Sequence, residues 1–201
     1  MTSNRTEVAL IAPPFSVSNS PYISLPVLMG WLKQEGIPTC FVDLANDFEE
    51  AILTPDRIRQ AYASVTETFV ALNEQAELLP SKAFRAAELE MLLKRLAPFY
   101  RDWEKDDFRR ANRTLLTELV AAPHWPYCLR ADEGLQIRSR NSIYSSHDLI
   151  CEGEASYFFT ACLKELILRK LNGEKTLVAG IAIVFDQQVI PAMQCARIIK
   201  E

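Results

Sequence analysis

The chain has 201 residues, of which 49% are hydrophobic, and its formal net charge is −4. A chain of this length and composition can bury the core of one globular domain. A pI near 5.4 disfavours nucleic acid as a partner, because phosphate binding requires clustered lysine and arginine. No apolar run reaches the ~18 residues of a membrane helix, so no membrane partner is expected. The five cysteines are widely spread without a C-x-x-C pair, which favours reduced thiols and a cytoplasmic location.

The first part of the chain predicts two strands joined by a helix. Residues 7–12 are a short, continuously apolar run, typical of a strand covered on both faces, and Pro13 ends its ladder. A helix is predicted over residues 21–34 and a second strand over residues 39–44. The side chains expected on the inner face of the helix are Leu25, Leu28, Met29 and Leu32. This order predicts a βαβ unit whose two strands are parallel and adjacent.

The middle of the chain predicts a helical region rather than a single crossover helix. Apolar residues recur at helical spacing from about residue 55 to residue 120, and prolines at 55 and 80 occupy positions typical of helix starts. They are Ile58, Tyr62, Val65, Phe69 and Leu72, then Leu89, Leu92, Leu93 and Leu96, then Leu115, Leu116, Leu119 and Val120. Since a crossover needs only one helix, we expect two to four helices that form an insertion in the domain.

The last part of the chain predicts a helix, a third strand and a final helix. The helix is predicted over residues 154–171, with an apolar inner face. Its inward side chains are Phe159, Leu163, Leu166 and Ile167, and its outward ones are Lys164, Glu165, Arg169 and Lys170. Residues 176–184 carry the strongest buried-strand signal in the chain, and residues 191–200 predict a helix. The fold class is therefore α/β, a Rossmann-like three-layer domain with a partial parallel sheet of about three strands and a helical insertion.

A sheet of three strands is short for this class. Doubly wound sheets usually have at least five strands, so we expect residues 1–201 to be a single truncated α/β domain. An outer strand without a neighbour exposes unpaired backbone groups. Formation of a homo-oligomer through this open sheet edge is therefore a further expectation.

Three predicted loops are candidates for a ligand site, because open parallel sheets bind ligands at the carboxyl ends of their strands. The candidate residues are Pro13, Pro14, Phe15, Ser16, Asp43, Val184, Phe185, Asp186, Gln187 and Gln188. The first loop has neither G-x-G-x-x-G nor a P-loop, which disfavours a dinucleotide or a nucleoside triphosphate. Helix capping is the alternative role for Asp43 and Asp186.

No residue pattern in the chain predicts catalysis or a metal site. The only histidines, His124 and His147, have no ligand or nucleophile partners at a suitable spacing. The acidic residues Glu152 and Glu154 are more simply explained as the acid-rich start of a helix. We therefore assign no catalytic residue and no metal ligand.

Three segments of the sequence share a pattern with one known family. They are VALIAPPF (8–15) with PYISLPVL (21–28) and GIP (36–38), YSS (144–146) through YFF (157–159), and VAGIAI (178–183) with DQQVIPA (186–192) and ARIIK (196–200). Together they resemble the N-terminal domain of cobalamin-dependent radical S-adenosylmethionine proteins, especially the branch that acts on ribosomal peptides. The third segment is the most specific, since it is similar to that family's VGISI…DQ…PA…AR…IK stretch. The helical region carries almost none of the resemblance.

The resemblance implies that the domain binds cobalamin, with the corrin over the carboxyl ends of the strands and beside residues 13–16 and 184–188. In such proteins a following domain binds a [4Fe–4S] cluster through C-x-x-x-C-x-x-C and cleaves S-adenosylmethionine, and many members are methyltransferases. That motif is absent here. The radical domain is therefore expected downstream in the full-length protein, and this chain alone is expected to catalyse nothing. D-x-H-x-x-G is also absent, so no histidine is marked as a cobalt ligand.

Two other interpretations stay open. A degenerate Rossmann-like domain without cobalamin would use the helical insertion to bind a peptide substrate or a partner helix. A nucleotide- or sugar-binding domain is the third, and the missing glycine loop disfavours it.

Overall fold

The structure is a computed structural model that describes residues 7–14, 23–75, 79–125, 128–131, 134–137, 139, 144–171, 178–184 and 188–201. Its regular elements in chain order are β1 (Val8–Ala12), α1 (Ser24–Gln34), β2 (Thr39–Asp43), α2 (Leu44–Ile52), α3 (Pro55–Asn73), α4 (Pro80–Leu96), α5 (Asp106–Ala111), α6 (Arg113–Ala121), β3 (Cys128–Ala131), β4 (Gly134–Ile137), α7 (Ser146–Glu154), α8 (Thr160–Leu171), β5 (Val178–Ile181) and α9 (Val189–Lys200). They belong to two compact units, Met1–Ala51 with Asp132–Glu201, and Ile52–Ala131. In the part of the chain that is described, no helix has both the length and the apolar character needed to cross a membrane.

The first unit contains a three-stranded parallel sheet in the order β2-β1-β5. Strand β1 pairs with β2 from Val8 opposite Thr39 to Ala12 opposite Asp43. It pairs with β5 from Val8 opposite Val178 onwards, also in parallel. The predicted Rossmann-like parallel sheet of three strands is confirmed.

Helices cover the central strand on both faces, as a three-layer domain requires. Leu10 and Ala12 point to one face, where they form a buried cluster with Leu25 of α1. Ala9 and Ile11 point to the opposite face because side chains alternate along a strand, and they are also completely buried. The short apolar run that predicted β1 is therefore a strand buried on both faces.

The predicted third strand is shorter and more exposed than its sequence indicated. Strand β5 ends at Ile181, and Ile183 and Val184 follow it in irregular backbone. Val178 is 58% exposed, so the expectation of a fully buried strand was wrong. The physical reason is position: β5 has a neighbour on one side only among the described strands, as does β2. Association through such an edge stays a prediction.

One side chain predicted to face inward from α1 does not. Leu28 is 42% exposed, whereas Leu25, Met29 and Leu32 contact the cluster around β1. These three residues are spaced i, i+4 and i+7, which defines a stripe that leaves Leu28 at its margin. Gly36 lies in the turn between α1 and β2. Its φ of 74° is a left-handed conformation that glycine adopts without strain.

The helix predicted over residues 154–171 begins later than predicted, at Thr160, and residue 154 belongs to the preceding helix. Helix α7 ends at Glu154 and α8 begins at Thr160, so Glu152 and Glu154 close a helix rather than start one. The interpretation of Glu152 and Glu154 as the acid-rich start of a helix was therefore wrong. The inner and outer faces predicted for α8 are confirmed. Its inward side chains are Phe159, Leu163, Leu166 and Ile167, all buried, and its outward ones are Lys164, Glu165, Arg169 and Lys170, all exposed.

The second unit is mostly helical, as predicted for residues 55–120, with α3, α4, α5 and α6 among its described elements. Helix α3 packs on both α4 and α6. Buried aliphatic side chains form its interior: Ile58, Val65, Leu89, Leu92, Leu96, Leu116 and Leu119. An aromatic group joins them, in which the ring centroid of buried Trp103 lies 5.2 Å from that of Tyr62 and 4.7 Å from that of Tyr100.

Candidate functional site at the carboxyl edge of the sheet

The order of the strands marks one end of the sheet as the candidate site. After β1 the chain crosses to β2 on one side, and later it returns to β5 on the other side of β1. The strand order therefore changes direction at β1. In doubly wound sheets, ligands bind at such a switch point, outside the carboxyl ends of the strands. The candidate site consequently lies where β1 and β5 end.

The ladder between β1 and β5 is regular up to this end. The backbone N–H of Val178 donates to the carbonyl oxygen of Glu7, and that of Ala182 donates to the carbonyl oxygen of Ile11, both over 3.0 Å. In a parallel ladder every second residue donates in the same way. The next hydrogen bond of this series would join the N–H of Val184 to the carbonyl oxygen of Pro13.

A side chain takes the place of that next backbone hydrogen bond. The N–H of Val184 donates to Oε1 of Gln188 over 3.1 Å, and Nε2 of Gln188 donates to the carbonyl oxygen of Pro13 over 3.3 Å. The primary amide of glutamine can do this because it carries the same acceptor and donor as a peptide unit. Gln188 is completely buried. Its amide therefore bridges the gap between the ends of β1 and β5, and this bridged gap with the carboxyl edge around it is called the edge crevice below.

The other predicted residues that the structure describes lie at the same edge. Pro13 and Pro14 are buried, so what they present to the crevice is backbone rather than an exposed ring. Asp43 is partly buried, ends β2 and directly precedes α2. That is the position at which an acidic residue caps a helix and complements its dipole. Val184 is 55% exposed.

Five predicted residues fall outside the described residues: Phe15, Ser16, Phe185, Asp186 and Gln187. Their roles at the edge crevice, including the alternative of helix capping by Asp186, stay predictions.

Helix α9, whose N-cap is Gln188, is anchored through its middle by a buried polar network that the sequence did not reveal. Gln194 is completely buried. Its Nε2 donates to the carbonyl oxygens of Gly153 and Ala155 over 2.5 and 2.7 Å. Its Oε1 accepts from the hydroxyl of Thr160 over 3.0 Å. A single amide thus ties α9 to the end of α7 and the start of α8.

A buried carboxylate stands next to this network. Glu152 is only 1% exposed and accepts a hydrogen bond from the hydroxyl of Tyr157. A buried carboxylate requires such donors, because its desolvation is costly. The bond holds the extended link between α7 and α8, and we assign it a positioning role.

The described cysteines and histidines include one close pair, His147 and Cys151, although the sequence suggested no nucleophile partner for either histidine. Cys162 and Cys195 are buried free thiols, and burial raises the pKa of Cys195 to about 12. Desolvation lowers the pKa of His124 below its ordinary value. His147 lies one helical turn before exposed Cys151, with 3.7 Å between Nε2 and Sγ. Among the described residues, no three His, Cys, Asp or Glu side chains are grouped as a metal site would require.

The strand topology and the edge crevice define the class of this protein as a Rossmann-like α/β protein with a helical insertion. No family model matches the sequence, and no curated protein and no solved structure matches it.

The fit of a corrin to the edge crevice depends on the side chains that are exposed there. Exposed Ile183 and Val184 offer an apolar surface beside it, which suits a flat macrocycle. Val184 begins the loop to which the family resemblance assigns a contact with cobalamin, and Ile183 directly precedes it. The described part of the edge contains no histidine. The described residues therefore offer an apolar contact surface for a macrocycle and no histidine.

Proposed function

We propose that this chain is the cobalamin-binding domain of a cytoplasmic radical S-adenosylmethionine protein that modifies a peptide or another natural product. The observation that carries the proposal is the edge crevice, which Gln188 bridges between Pro13 and Val184 at the switch point of the sheet. The sequence segments at this edge are also those in which the family resemblance is most specific. Cobalamin, when bound, supplies a cobalt centre for methyl transfer or related radical chemistry.

The residues of this chain would bind and orient the cofactor. Ile183 and Val184 cover the apolar face of the corrin and exclude water from it. Gln188 fixes the spacing between the loops that flank the macrocycle, and Asp43 bounds the β2 side of the edge. The [4Fe–4S] cluster and S-adenosylmethionine belong to a downstream domain, so this chain supplies no group that reacts with substrate.

Cofactor retention tests the proposal directly. The purified chain is mixed with hydroxocobalamin and desalted, and the visible spectrum of the eluted protein is recorded. We expect corrin absorption at close to one equivalent per chain. A folded but colourless protein would favour the degenerate domain that binds a peptide or a protein partner.

A matched pair of variants locates the site. Val184→Asp places a charge beside the edge crevice, where it would face an apolar macrocycle at a high cost in free energy. Val178→Asp makes the same change near the opposite end of the same strand, and the two valines are 55% and 58% exposed. We expect corrin retention to be lost in V184D and kept in V178D. Equal loss in both variants would place the cofactor elsewhere.

The sequence downstream of Glu201 provides an independent test. The proposal expects a C-x-x-x-C-x-x-C motif within roughly a hundred residues, a distance set by ordinary domain sizes.

A further inference from the structure

The second unit contains a cavity that the cofactor proposal does not use. It lies between α3, α4 and the 3-10 turn Ala122–His124, and its volume is about 380 Å³. This is near the lower end of the roughly 300–1,000 Å³ of small-molecule sites. All of its described lining residues belong to the second unit. We call it the helical-unit cavity.

The floor of the helical-unit cavity is apolar and its mouth is aromatic. Val65 and Leu89 are almost completely buried, and Leu72 extends the same wall. Trp125 lines the cavity and is 47% exposed, so part of its indole is open to solvent. An apolar group that entered would exchange contact with water for contact with these side chains.

Arg85 is held at this mouth by three contacts. Its Nη2 donates to the carbonyl oxygen of Ala122 over 2.7 Å, and its Nη1 pairs with Glu88 over 3.1 Å. Its Cζ lies 5.3 Å from the ring centroid of Trp125, a distance at which the cation interacts with the aromatic face. The side chain is only 15% exposed. The guanidinium is therefore positioned in advance beside the aromatic wall.

Among the described residues that line the cavity, Lys82 is the second cation after Arg85. Its ammonium donates to the neutral Oε1 of Gln75 over 3.1 Å, whereas the charge of Arg85 is offset by Glu88. Lys82 also stands in the first turn of α4, which contains no acidic residue and where the helix dipole adds positive potential. The described lining residues of the cavity include two cations and no carboxylate.

We propose that the helical-unit cavity binds an organic carboxylate with an apolar body. The apolar part would lie on Val65, Leu72 and Leu89 beside Trp125, and the carboxylate would accept hydrogen bonds from Lys82 at the mouth. The same chemistry is offered by a small free acid and by the C-terminus of an apolar peptide. Its lining residues are different from those of the edge crevice, and the proposal does not depend on cobalamin binding.

The test compares an acid with its neutral analogue. The ¹H–¹⁵N spectrum of the full chain is titrated with 3-phenylpropionate and with 3-phenylpropanamide. We expect saturable shifts at residues 65–89 and 122–125 with the acid, and binding of the amide at least about tenfold weaker, as the loss of one charge-assisted hydrogen bond predicts. Equal affinities of the acid and the amide would overturn the proposal.

Two lysine variants on one helix test the role of charge. Lys82→Gln should weaken the binding of 3-phenylpropionate roughly three- to tenfold, the range of one surface charge contact. It should leave the binding of the amide unchanged. Lys94→Gln removes the same charge from the exposed surface of α4 beside Glu90. It should change the affinity for neither the acid nor the amide. Equal effects of both variants would refute a specific contact. Circular dichroism verifies that each variant is folded. The comparison of acid and amide on the wild-type protein tests the proposal even if a variant does not fold.

N-acetyl-Leu-Phe and its C-terminal amide distinguish the two sources of the carboxylate. Tighter binding of the peptide acid than of 3-phenylpropionate identifies a peptide terminus as the ligand, and the reverse order identifies a small acid. Failure of both peptide forms together with failure of 3-phenylpropionate would refute the site, whatever the outcome of the hydroxocobalamin test.

Discussion

Gln188 donates a hydrogen bond from its side-chain amide to the backbone carbonyl of Pro13, a residue 175 positions earlier in the chain. The same amide accepts from the N–H of Val184. It thereby continues the hydrogen-bonding pattern between β1 and β5 after the backbones have moved apart. At the edge where the cofactor is proposed to bind, the contact between the ends of β1 and β5 is therefore made by this one side chain.

Replacement of Gln188 by leucine should destabilise the protein. The variant leaves a buried carbonyl and a partly buried N–H without the amide, which costs about 1–3 kcal/mol for each unsatisfied group. The free energy of unfolding in urea measures the loss. Gln60→Leu on exposed α3 surface is the control and should change stability by less than about 0.5 kcal/mol. A loss no larger in Q188L than in Q60L would contradict the assigned role.

Replacement of Tyr157 by phenylalanine should also destabilise the protein, because it removes a hydrogen-bond donor from buried Glu152. We expect a loss of about 1–3 kcal/mol, the usual cost at a buried polar group. Tyr144→Phe makes the identical change at an exposed residue and should be neutral. The midpoint of thermal unfolding is measured for the two variants. Equal midpoints would show that the Tyr157 hydroxyl does not contribute to stability.

Two glycine-to-alanine variants should have opposite signs. A Cβ at Gly153 would lie 2.9 Å from Cβ of Met193, whereas a Cβ at Gly30 would meet nothing within 4 Å. Gly153→Ala should therefore cost about 1–3 kcal/mol through overpacking. Gly30→Ala should stabilise α1 by roughly 0.5–1 kcal/mol, since alanine loses less entropy in a helix. Stabilisation by both would show that α7 and α9 can separate without cost.

The buried thiol of Cys195 predicts a loss of stability at high pH. Its pKa is raised from 9.0 to about 12 by desolvation, so the folded state keeps the proton that the unfolded state releases. The associated stability is complete below pH 9 and declines as the pH rises towards 12, by up to about 1.4 kcal/mol per pH unit. Cys195→Ser removes the titrating group, and the decline between pH 9 and 10.5 should be shallower. Parallel pH profiles would contradict the assignment.

Much of the fold could be predicted because it depends on local patterns. The continuous apolar run of β1 and the spacing of Leu163, Leu166 and Ile167 each reflect a single element and its burial. The exposure of β5 could not be predicted, since an apolar strand has the same sequence at the centre or at the edge of a sheet. Residues Ser145 and Asp148 did carry an overlooked signal. The Ser145 hydroxyl accepts from the N–H of Asp148, an N-cap that begins α7 and places Glu152 in its last turn.

The candidate site was predictable in position but not in detail. Open parallel sheets bind ligands at their carboxyl ends, so the loops after β1 and β5 followed from the strand pattern alone. The structural role of Gln188 depends on a contact across almost the whole chain, and no local spacing encodes it. Gln194 was overlooked for the same reason, because its partners Gly153 and Thr160 belong to other helices.

The Gln188 amide leaves the last contact between β1 and β5 to a side chain. A backbone hydrogen bond is kept through almost any substitution, whereas a hydrogen bond from a side chain is lost when that residue is replaced. The contact between Pro13 and Val184 can therefore be removed by substitution at position 188 alone, while the backbone hydrogen bonds at Glu7 and Ile11 are kept.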